Sequence, residues 1–174
     1  MFALVMDMLA PPLAPAAEIA FNRVFEETRG PLLLYLARLL GDSDEAHDVL
    51  QETYARALRQ RGFLDEGFQQ RAWLYRVAGN LAHSTLRRLR RWLRPHPAPA
   101  TQPSVLDQLL STEAQRAVQA ALSRLAWQHR QVLLLRFYQE LSYLEIAEVL
   151  GVPTGTVMSR LNRAKALLER SFQE

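Results

Sequence analysis

The sequence contains no cysteine, which excludes a disulfide-bonded scaffold and any metal site with thiolate ligands. Histidine is scarce as well, and its positions show no HExxH or comparable metal-binding spacing; the four are His47, His83, His96 and His129. Lysine is almost absent, because 20 of the 21 basic residues are arginine. We therefore predict no metal site. We also expect no cofactor and no small-molecule substrate. The arginines permit nucleic-acid binding, since their planar side chains suit phosphates and base edges.

A long uninterrupted hydrophobic run is also missing. The opening residues MFALVMDMLAPPLAPAA are apolar, but Asp7 and several prolines interrupt them, and no basic residue precedes Arg23. A secretion signal needs a basic start, and a membrane-spanning helix needs about 20 apolar residues. We therefore interpret residues 1–17 as a non-helical N-terminal extension and predict a cytoplasmic protein without membrane insertion.

Glycine is rare, with seven residues, and apolar residues recur at intervals of three and four, which favours helices over strands. The predicted fold class is all-α, with two small helical domains. The first is a four-helix lobe over residues 18–93, with helices at 18–29, 31–40, 43–60 and 70–93 and a loop at 61–69. Gly30-Pro31 is expected to separate the first two helices. Asp42 with Glu45 three residues later is typical of the start of the third.

Prolines are concentrated between the two predicted domains. Residues 94–111 hold four prolines among Ala, Thr and Gln, a composition that favours extended polyproline II conformation. At about 3.1 Å per residue, such a linker separates its ends by up to roughly 50 Å, so the two lobes need not contact each other. The second domain, residues 112–174, is predicted to begin with helices at 113–126 and 127–139.

The segment from Ser142 to Leu168 has the pattern of a helix-turn-helix. Ser142 and Glu145 form a capping box at the start of one helix, and Gly151 permits the left-handed turn that ends it. Thr154 or Thr156 is expected to cap the second helix. The outward positions of that helix carry side chains that reach base edges or phosphates: Met158, Ser159, Asn162, Arg163 and Lys165. We interpret the segment as a DNA-reading module, with an ordinary helical hairpin bearing a solvated basic face as the alternative.

Two predicted helices of the first domain carry charge of opposite sign. The third helix has acidic side chains at four-residue intervals: Asp44, Asp48 and Glu52. This acidic stripe is either a solvated helix face or a binding surface for a basic partner. The fourth is basic, and its arginines alternate with aromatic residues: Arg71, Arg76, Arg87, Arg88, Arg90, Arg91 and Arg94 with Trp73, Tyr75 and Trp92. Arginines neutralise phosphates and aromatic rings stack on unpaired bases, so this helix is a candidate surface for single-stranded DNA. Trp73 fits a core position equally well.

Three segments together resemble the bacterial sigma-70 family, and within it the small extracytoplasmic-function (ECF) sigma factors that have only regions 2 and 4. GDSDEAHDVLQETYARAL and WLYRVAGNLAHSTLRRLRR resemble the clamp-binding and promoter-binding parts of region 2, and LSYLEIAEVLGVPTGTVMSRLNRAKALL resembles region 4. The resemblance implies region 2 over residues 18–93, region 4 over 112–174 and a non-enzymatic specificity subunit of RNA polymerase. Such a subunit directs polymerase to the minus-10 and minus-35 promoter elements and promotes melting.

The resemblance also implies partners and residue roles. The partners are core RNA polymerase, through its β′ clamp and β flap, promoter DNA, and an anti-sigma factor. The residues implied at the clamp are Asp44, Asp48, Gln51 and Glu52. Those implied at the minus-10 element, where a flipped base is captured, are Phe63, Phe68, Arg71, Trp73, Arg76, Asn80, Arg87, Arg88 and Arg91. Those implied at the minus-35 element are Thr154, Thr156, Met158, Ser159, Asn162, Arg163 and Lys165.

Two other functions fit parts of the sequence. A stand-alone helix-turn-helix regulator would bind a palindromic operator as a dimer, but it leaves the acidic stripe and the arginine-rich helix without a role. A magnesium-dependent nuclease would use Asp44, Asp48 and Glu52, with His47 nearby. Carboxylates on one exposed helical stripe point outward rather than toward a common ion, which disfavours the nuclease.

Overall fold

The computed structural model describes residues 14–92 and 112–172, and every regular element in these two stretches is an α-helix. The N-terminal lobe consists of α1 (Pro15–Leu40), α2 (Ser43–Arg59) and α3 (Gln70–Trp92). The C-terminal lobe consists of α4 (Glu113–Arg124), α5 (Trp127–Phe137), α6 (Tyr143–Leu150) and α7 (Thr154–Arg170). The all-α fold class is confirmed. The predicted linker at 94–111 and most of the predicted extension lie outside the described residues. The prediction that this extension is non-helical is wrong for its last three residues, because α1 begins at Pro15. None of the described helices is long and apolar enough to cross a membrane.

The predicted helix break at Pro31 is wrong, because α1 runs through this residue without interruption. A proline inside a helix removes one backbone hydrogen bond and costs about 3 kcal/mol. Burial after the proline offsets this cost, since Leu32, Tyr35 and Leu36 are fully buried. The continuous helix ends at Gly41, whose left-handed backbone (φ 75°) closes the last turn.

Asp42 starts α2 as predicted. Its carboxylate accepts hydrogen bonds from the backbone N–H groups of Asp44 (2.9 Å) and Glu45 (3.0 Å). These bonds satisfy two donors that the first turn of a helix leaves without a partner. The inward face of α2 is buried, at Ala46, Val49, Leu50, Thr53 and Ala57. This face packs against α1 and α3.

A capping box positions the first helix of the helix-turn-helix, α6. Ser142 Oγ accepts a hydrogen bond from the Glu145 N–H (3.2 Å), while the Glu145 carboxylate accepts one from the Ser142 N–H (2.7 Å). Gly151 ends α6 with a left-handed backbone (φ 63°). Both features are confirmed, and together they fix where the chain turns into α7.

The start of α7 differs from the prediction, because neither Thr154 nor Thr156 caps it. Pro153 occupies the N-cap position without a side-chain hydrogen bond, and Thr154 is already the first helical residue. The backbone carbonyl of Pro153 instead accepts hydrogen bonds from the N–H groups of Thr156 (2.9 Å) and Val157 (3.2 Å). Both threonines therefore lie within the first turn of α7.

The two lobes pack against each other, an arrangement that the linker composition left open. Helix α1 contacts α5, and α3 contacts α6. Buried apolar residues of both lobes form one cluster, which includes Phe21 and Leu74 of the N-terminal lobe and Leu134 and Ile146 of the C-terminal lobe. At the same interface, the ring of His83 on α3 stacks on the ring of Trp127 on α5, with 4.9 Å between centroids. The structure is therefore a closed form of the chain.

Candidate nucleic-acid interface

One face of α7 carries the polar side chains predicted to read DNA. The other face is buried, at Val157, Leu161 and Ala164. Because residues are about 100° apart around a helix, burial of these positions turns the opposite side to solvent. The predicted residues on or beside that side are all exposed: Met158, Ser159, Asn162, Arg163 and Lys165. Thr154 and Thr156 are half-buried at the start of the helix. The exposed face has the form of a recognition helix that can enter a major groove.

A buried histidine lies on the helix that packs against α7. His129 lies on α5, which packs against α7, and it is buried. Its Nδ1 atom has no hydrogen-bond partner among the described residues. Burial lowers the pKa of His129, and the positive charges of Arg163 and Arg160 lower this pKa further. The packing therefore favours the neutral imidazole.

The four residues predicted to bind polymerase lie exposed on α2: Asp44, Asp48, Gln51 and Glu52. Glu52 forms an ion pair with Arg56 (2.8 Å). Beside them, the half-buried Glu45 lies 3.5 Å from Arg88 on α3. The pKa of Glu45 is raised, mainly because burial disfavours the charged carboxylate. The positive charge of Arg88 opposes this shift, and the neighbouring carboxylates add to it. No group of three His, Asp or Glu residues in the described part of the chain could hold a metal ion.

The arginines of α3 divide into two groups. Three arginines in its C-terminal half are exposed to solvent: Arg87, Arg88 and Arg91. Those in its N-terminal half, Arg71 and Arg76, donate hydrogen bonds to backbone carbonyls of the C-terminal lobe. Asn80 is exposed and lines a cavity of about 210 Å³ between the lobes, together with Arg76 and Arg160. Arg71 and Arg76 nevertheless remain exposed, so these bonds engage part of the predicted minus-10 surface without burying it.

The predicted aromatic contacts form a packed cluster rather than a row of free rings. Phe63 is only 3% exposed, and its ring centroid lies 5.9 Å from Phe21, 5.5 Å from Phe68 and 5.5 Å from Trp73. Trp73 is half-buried against the same core, so the structure favours the core interpretation of Trp73. Phe63 offers no free face to a base here, because it is packed among these rings. Phe68 keeps part of its ring exposed.

Gln139 is an interface residue that the sequence analysis did not identify. It is 5% exposed; its Oε1 accepts a hydrogen bond from the Tyr75 hydroxyl, and its Nε2 donates one to the Pro31 carbonyl (3.2 Å). Glutamine is usually found at the surface, and both partners are distant in sequence. No local pattern could have singled out this residue.

Two family models match the two lobes. The model of sigma-70 region 2 matches residues 24–92, and that of sigma-70 region 4 matches residues 115–168. The ECF RNA polymerase sigma factor SigL of Mycobacterium tuberculosis is 34% identical over 168 residues, which cover 92% of this chain and 94% of SigL. The ECF sigma factor SigW of Bacillus subtilis is 29% identical over 168 residues, which cover 89% of this chain and 90% of SigW.

Two solved structures share the fold. The sigma factor RpoE from Bartonella quintana, in complex with the anti-sigma factor NepR, has a TM-score of 0.68 at 23% identity, covering 88% of this chain and 96% of RpoE. CnrH, in complex with the cytosolic domain of CnrY, has a TM-score of 0.66 at 24% identity, covering 90% of this chain and 89% of CnrH.

A helix-turn-helix whose second helix exposes polar and basic side chains is the architecture of a DNA-binding protein. The region 2 match adds a role for the N-terminal lobe, which a stand-alone helix-turn-helix regulator leaves unexplained. The chain belongs to the sigma-70 family, as an extracytoplasmic-function sigma factor. It is a promoter-directing factor of transcription initiation, and the resemblance seen in the sequence is confirmed.

Proposed function

We propose that this sigma factor divides promoter-directed initiation among three of its helices. Helix α2 binds the β′ clamp of core RNA polymerase, α3 with the loop before it binds the minus-10 element, and α7 reads the minus-35 element. The observation that carries the proposal is the exposed face of α7, where Ser159, Asn162 and Arg163 lie opposite a fully apolar inner face. The proposed region 2 spans residues 18–93, and region 4 spans 112–174.

At the minus-35 element, the side chains of α7 suit two kinds of contact. Asn162 and Arg163 can form paired hydrogen bonds with the edges of adenine and guanine in the major groove. Ser159 and Lys165 suit phosphate oxygens, as do Thr154 and Thr156 at the start of the helix. Met158 offers an apolar contact, because it is 48% exposed on the same helix.

At the polymerase clamp, the stripe on α2 provides the charge that a basic partner requires. Asp44 and Asp48 are exposed and Gln51 lies beside them. Glu52 already forms an ion pair with Arg56. Because an exposed ion pair of this kind contributes only about 0.3–0.5 kcal/mol, Glu52 can exchange Arg56 for a basic group of the clamp.

At the minus-10 element, the exposed arginines of α3 contact the phosphates of the melted strand. Arg87, Arg88 and Arg91 provide three positive charges on the exposed C-terminal half of the helix. Asn80 offers a hydrogen bond to a flipped base, and the partly exposed Phe68 offers a separate ring surface on which an unpaired base can stack. Trp73 and Phe63 hold this part of the loop in place.

The protein acts in the cytoplasm as a non-enzymatic subunit, and an anti-sigma factor is a further proposed partner. The partner is supported by the two structural relatives, because RpoE is bound to the anti-sigma factor NepR and CnrH to the cytosolic domain of CnrY. The β flap of polymerase is proposed as a second contact, made by region 4.

Run-off transcription with core polymerase on a library of promoter fragments tests the proposed function. We expect transcripts only when the chain and core polymerase are both present, from fragments that share a minus-10 and a minus-35 element. The Asn162→Ala variant should lose selection of the minus-35 element and keep that of the minus-10 element. Tight binding to one duplex by the chain alone, with no stimulation of core polymerase, would instead favour the stand-alone regulator.

A further inference from the structure

The cavity of about 210 Å³ between the lobes is lined by two arginines and, among the described residues, by no acidic side chain. Arg76 comes from α3 and Arg160 from α7. The amide side chains of Asn80 and Gln131 also line the cavity, and the C-terminal end of α6 completes it. Cations and amide donors around one cavity create a positive potential that attracts anions.

A second cavity, of about 220 Å³, lies beside the first and has a different charge. Its charged lining residues are Arg71, Glu145 and Glu148. Here two carboxylates offset one guanidinium. Both cavities lie between α3 and α6, so the charge of the lining, rather than its place in the fold, distinguishes the first as a candidate anion site.

Arg160 is the cavity residue whose charge the described part of the protein leaves unpaired. It is half-buried on α7. The ion pairs within residues 14–92 and 112–172 use other arginines: Arg23, Arg29, Arg56 and Arg88. By contrast, the buried Arg130 of α5 donates a hydrogen bond to the Leu39 carbonyl of α1 (2.8 Å). Because a charge removed from water is costly unless it is paired, an anion from solution would stabilise Arg160.

The positive charge of Arg160 also acts on the neighbouring helix α5. Burial lowers the pKa of His129 on that helix, and Arg163 and Arg160 lower it further. Cations lower the pKa of a histidine because they disfavour a further positive charge nearby. The contact between α5 and α7 therefore has the positive potential that an anion requires.

Arg76 brings a second guanidinium to the cavity from the other lobe. Its Nε and Nη2 atoms donate hydrogen bonds to the carbonyls of Val149 (3.3 Å) and Glu148, respectively. These bonds offset the partial negative charge at the C-terminal end of α6, which would otherwise repel an anion. A guanidinium has five N–H donors, so those of Arg76 that α6 does not use remain for a ligand.

Gln131 provides a buried donor on the inner side of the cavity. It is 9% exposed, and its Nε2 donates one hydrogen bond to the Tyr35 hydroxyl (3.2 Å). A primary amide has two N–H donors, so one remains. Gln131 fits here because residue 79 is glycine: a Cβ atom on Gly79 would lie 2.5 Å from Gln131 Nε2. Arg76 and Asn80 are exposed, so a ligand can enter from their side.

We propose that this cavity binds a compact phosphate-bearing anion, held between Arg160 of the C-terminal lobe and Arg76 of the N-terminal lobe. The planar fork of arginine forms paired hydrogen bonds with phosphate oxygens. Pockets for drug-sized ligands measure about 300–1,000 Å³. A cavity of about 210 Å³ therefore suits one or two phosphate groups rather than a whole nucleotide.

The diphosphate group has two sources, free pyrophosphate and the diphosphate end of a nucleotide whose nucleoside stays outside the cavity. The site goes beyond the proposed function, because Arg160 belongs to none of the proposed polymerase-binding or DNA-binding surfaces. Its ligand is bound by the free protein and needs neither polymerase nor promoter.

Isothermal titration calorimetry of the free chain with sodium pyrophosphate tests the site, with the ionic strength held constant by sodium chloride. We expect saturable binding of one ligand per chain. The thermal unfolding midpoint should rise with pyrophosphate concentration, because a ligand that binds only the folded state stabilises it. A parallel titration with ADP distinguishes the sources. Tighter binding of ADP identifies a nucleotide, and binding no tighter than that of pyrophosphate identifies the free anion.

Two pairs of variants locate the ligand. Arg160→Gln and Arg76→Gln each remove one cation of the cavity and should weaken pyrophosphate binding by roughly tenfold or more. Arg170→Gln and Arg87→Gln are the matched controls, because each removes one exposed charge from the same helix. The controls should leave the affinity almost unchanged. Circular dichroism checks that all four variants keep their helices.

Three results would overturn the site. Equal losses in the cavity variants and the controls would show that only net charge attracts the anion. A loss in just one of the two cavity variants would exclude a ligand held between the lobes, and the absence of saturable binding of either ligand would exclude the site altogether. Failure of the chain to support run-off transcription with core polymerase would instead overturn the proposed function and leave the anion site intact.

Discussion

Arg163 is the single side chain on which minus-35 recognition should depend most. It is exposed on α7, and a charged contact to a base edge is worth about 1 to 3 kcal/mol. Arg163→Ala should reduce run-off from a promoter with an intact minus-35 element accordingly, without weakening capture of core polymerase. Arg170→Ala removes the same charge at the exposed end of α7 and should have little effect. Equal losses in the two variants would mean that only net charge matters.

Arg130 is a buried polar residue whose loss should strongly reduce the stability of the fold. It is 4% exposed and donates hydrogen bonds to the carbonyls of Leu122 (2.8 Å), Ser123 (2.5 Å) and Leu125 (3.3 Å), besides the bond to α1. Each buried acceptor left unpaired costs about 1 to 3 kcal/mol. Arg130→Ala should therefore lower the free energy of unfolding by about 3 kcal/mol or more in urea titrations.

Arg130→Lys provides the control for that measurement. Lysine keeps the positive charge but lacks the planar fork that reaches several carbonyls at once. It should recover only part of the lost stability. Full recovery would show that charge near the helix ends, rather than the geometry of the hydrogen bonds, stabilises the protein.

Helix α2 is the element that should decide polymerase binding. Asp48→Arg together with Glu52→Arg reverses two exposed charges, so attraction to a basic clamp becomes repulsion. We expect core polymerase capture to be abolished in a pull-down, with helicity unchanged. The double variant Glu26→Arg and Glu27→Arg on α1 is the matched control, because it changes the net charge equally at exposed positions. Retained capture by the α2 variant would contradict the clamp assignment.

The packing of α5 against α7 should make stability depend on pH through His129. Since burial lowers its pKa, the unfolded chain takes up the proton at a higher pH than the folded chain. The stability from neutral His129 is therefore fully present above about pH 6.5 and is lost as the pH falls through the folded-state pKa. The urea concentration at the midpoint of unfolding should decrease as the pH is lowered from 7 to 5. His129→Gln should flatten this fall, whereas His83→Gln, at an exposed position, should not.

Promoter melting is a property of the whole molecule, because one of the proposed base-capturing residues, Asn80, lines the cavity between the lobes. Asn80→Ala together with Phe68→Ala should impair open-complex formation on duplex promoter, since base capture offsets an unstacking cost of a few kcal/mol. A template already mismatched across the minus-10 region should partly rescue the defect. Permanganate reactivity and run-off yield measure both effects. Equal defects on the two templates would assign these residues to the fold or to polymerase binding.

Features set by near neighbours in the chain could be predicted from the sequence. The caps at Asp42 and Ser142 and the turn at Gly151 depend on residues at most a few positions away, and each forms as predicted. The charged faces of α2 and α7 follow from helical periodicity for the same reason. The family resemblance could also be predicted, because its motifs are contiguous segments of sequence.

Only the tertiary structure decided the features that need distant partners. Helix α1 continues through Pro31 because burial of the residues that follow offsets the lost hydrogen bond, and periodicity does not report that burial. Phe63 belongs to the core because Phe21 and Trp73 converge on it from other helices. Gln139 and Arg76 join the lobes through partners roughly 60 to 110 positions away in sequence. Such contacts depend on how the helices pack. Helical patterning therefore predicts the individual helices of this sigma factor, whereas tertiary packing determines how the two lobes are arranged.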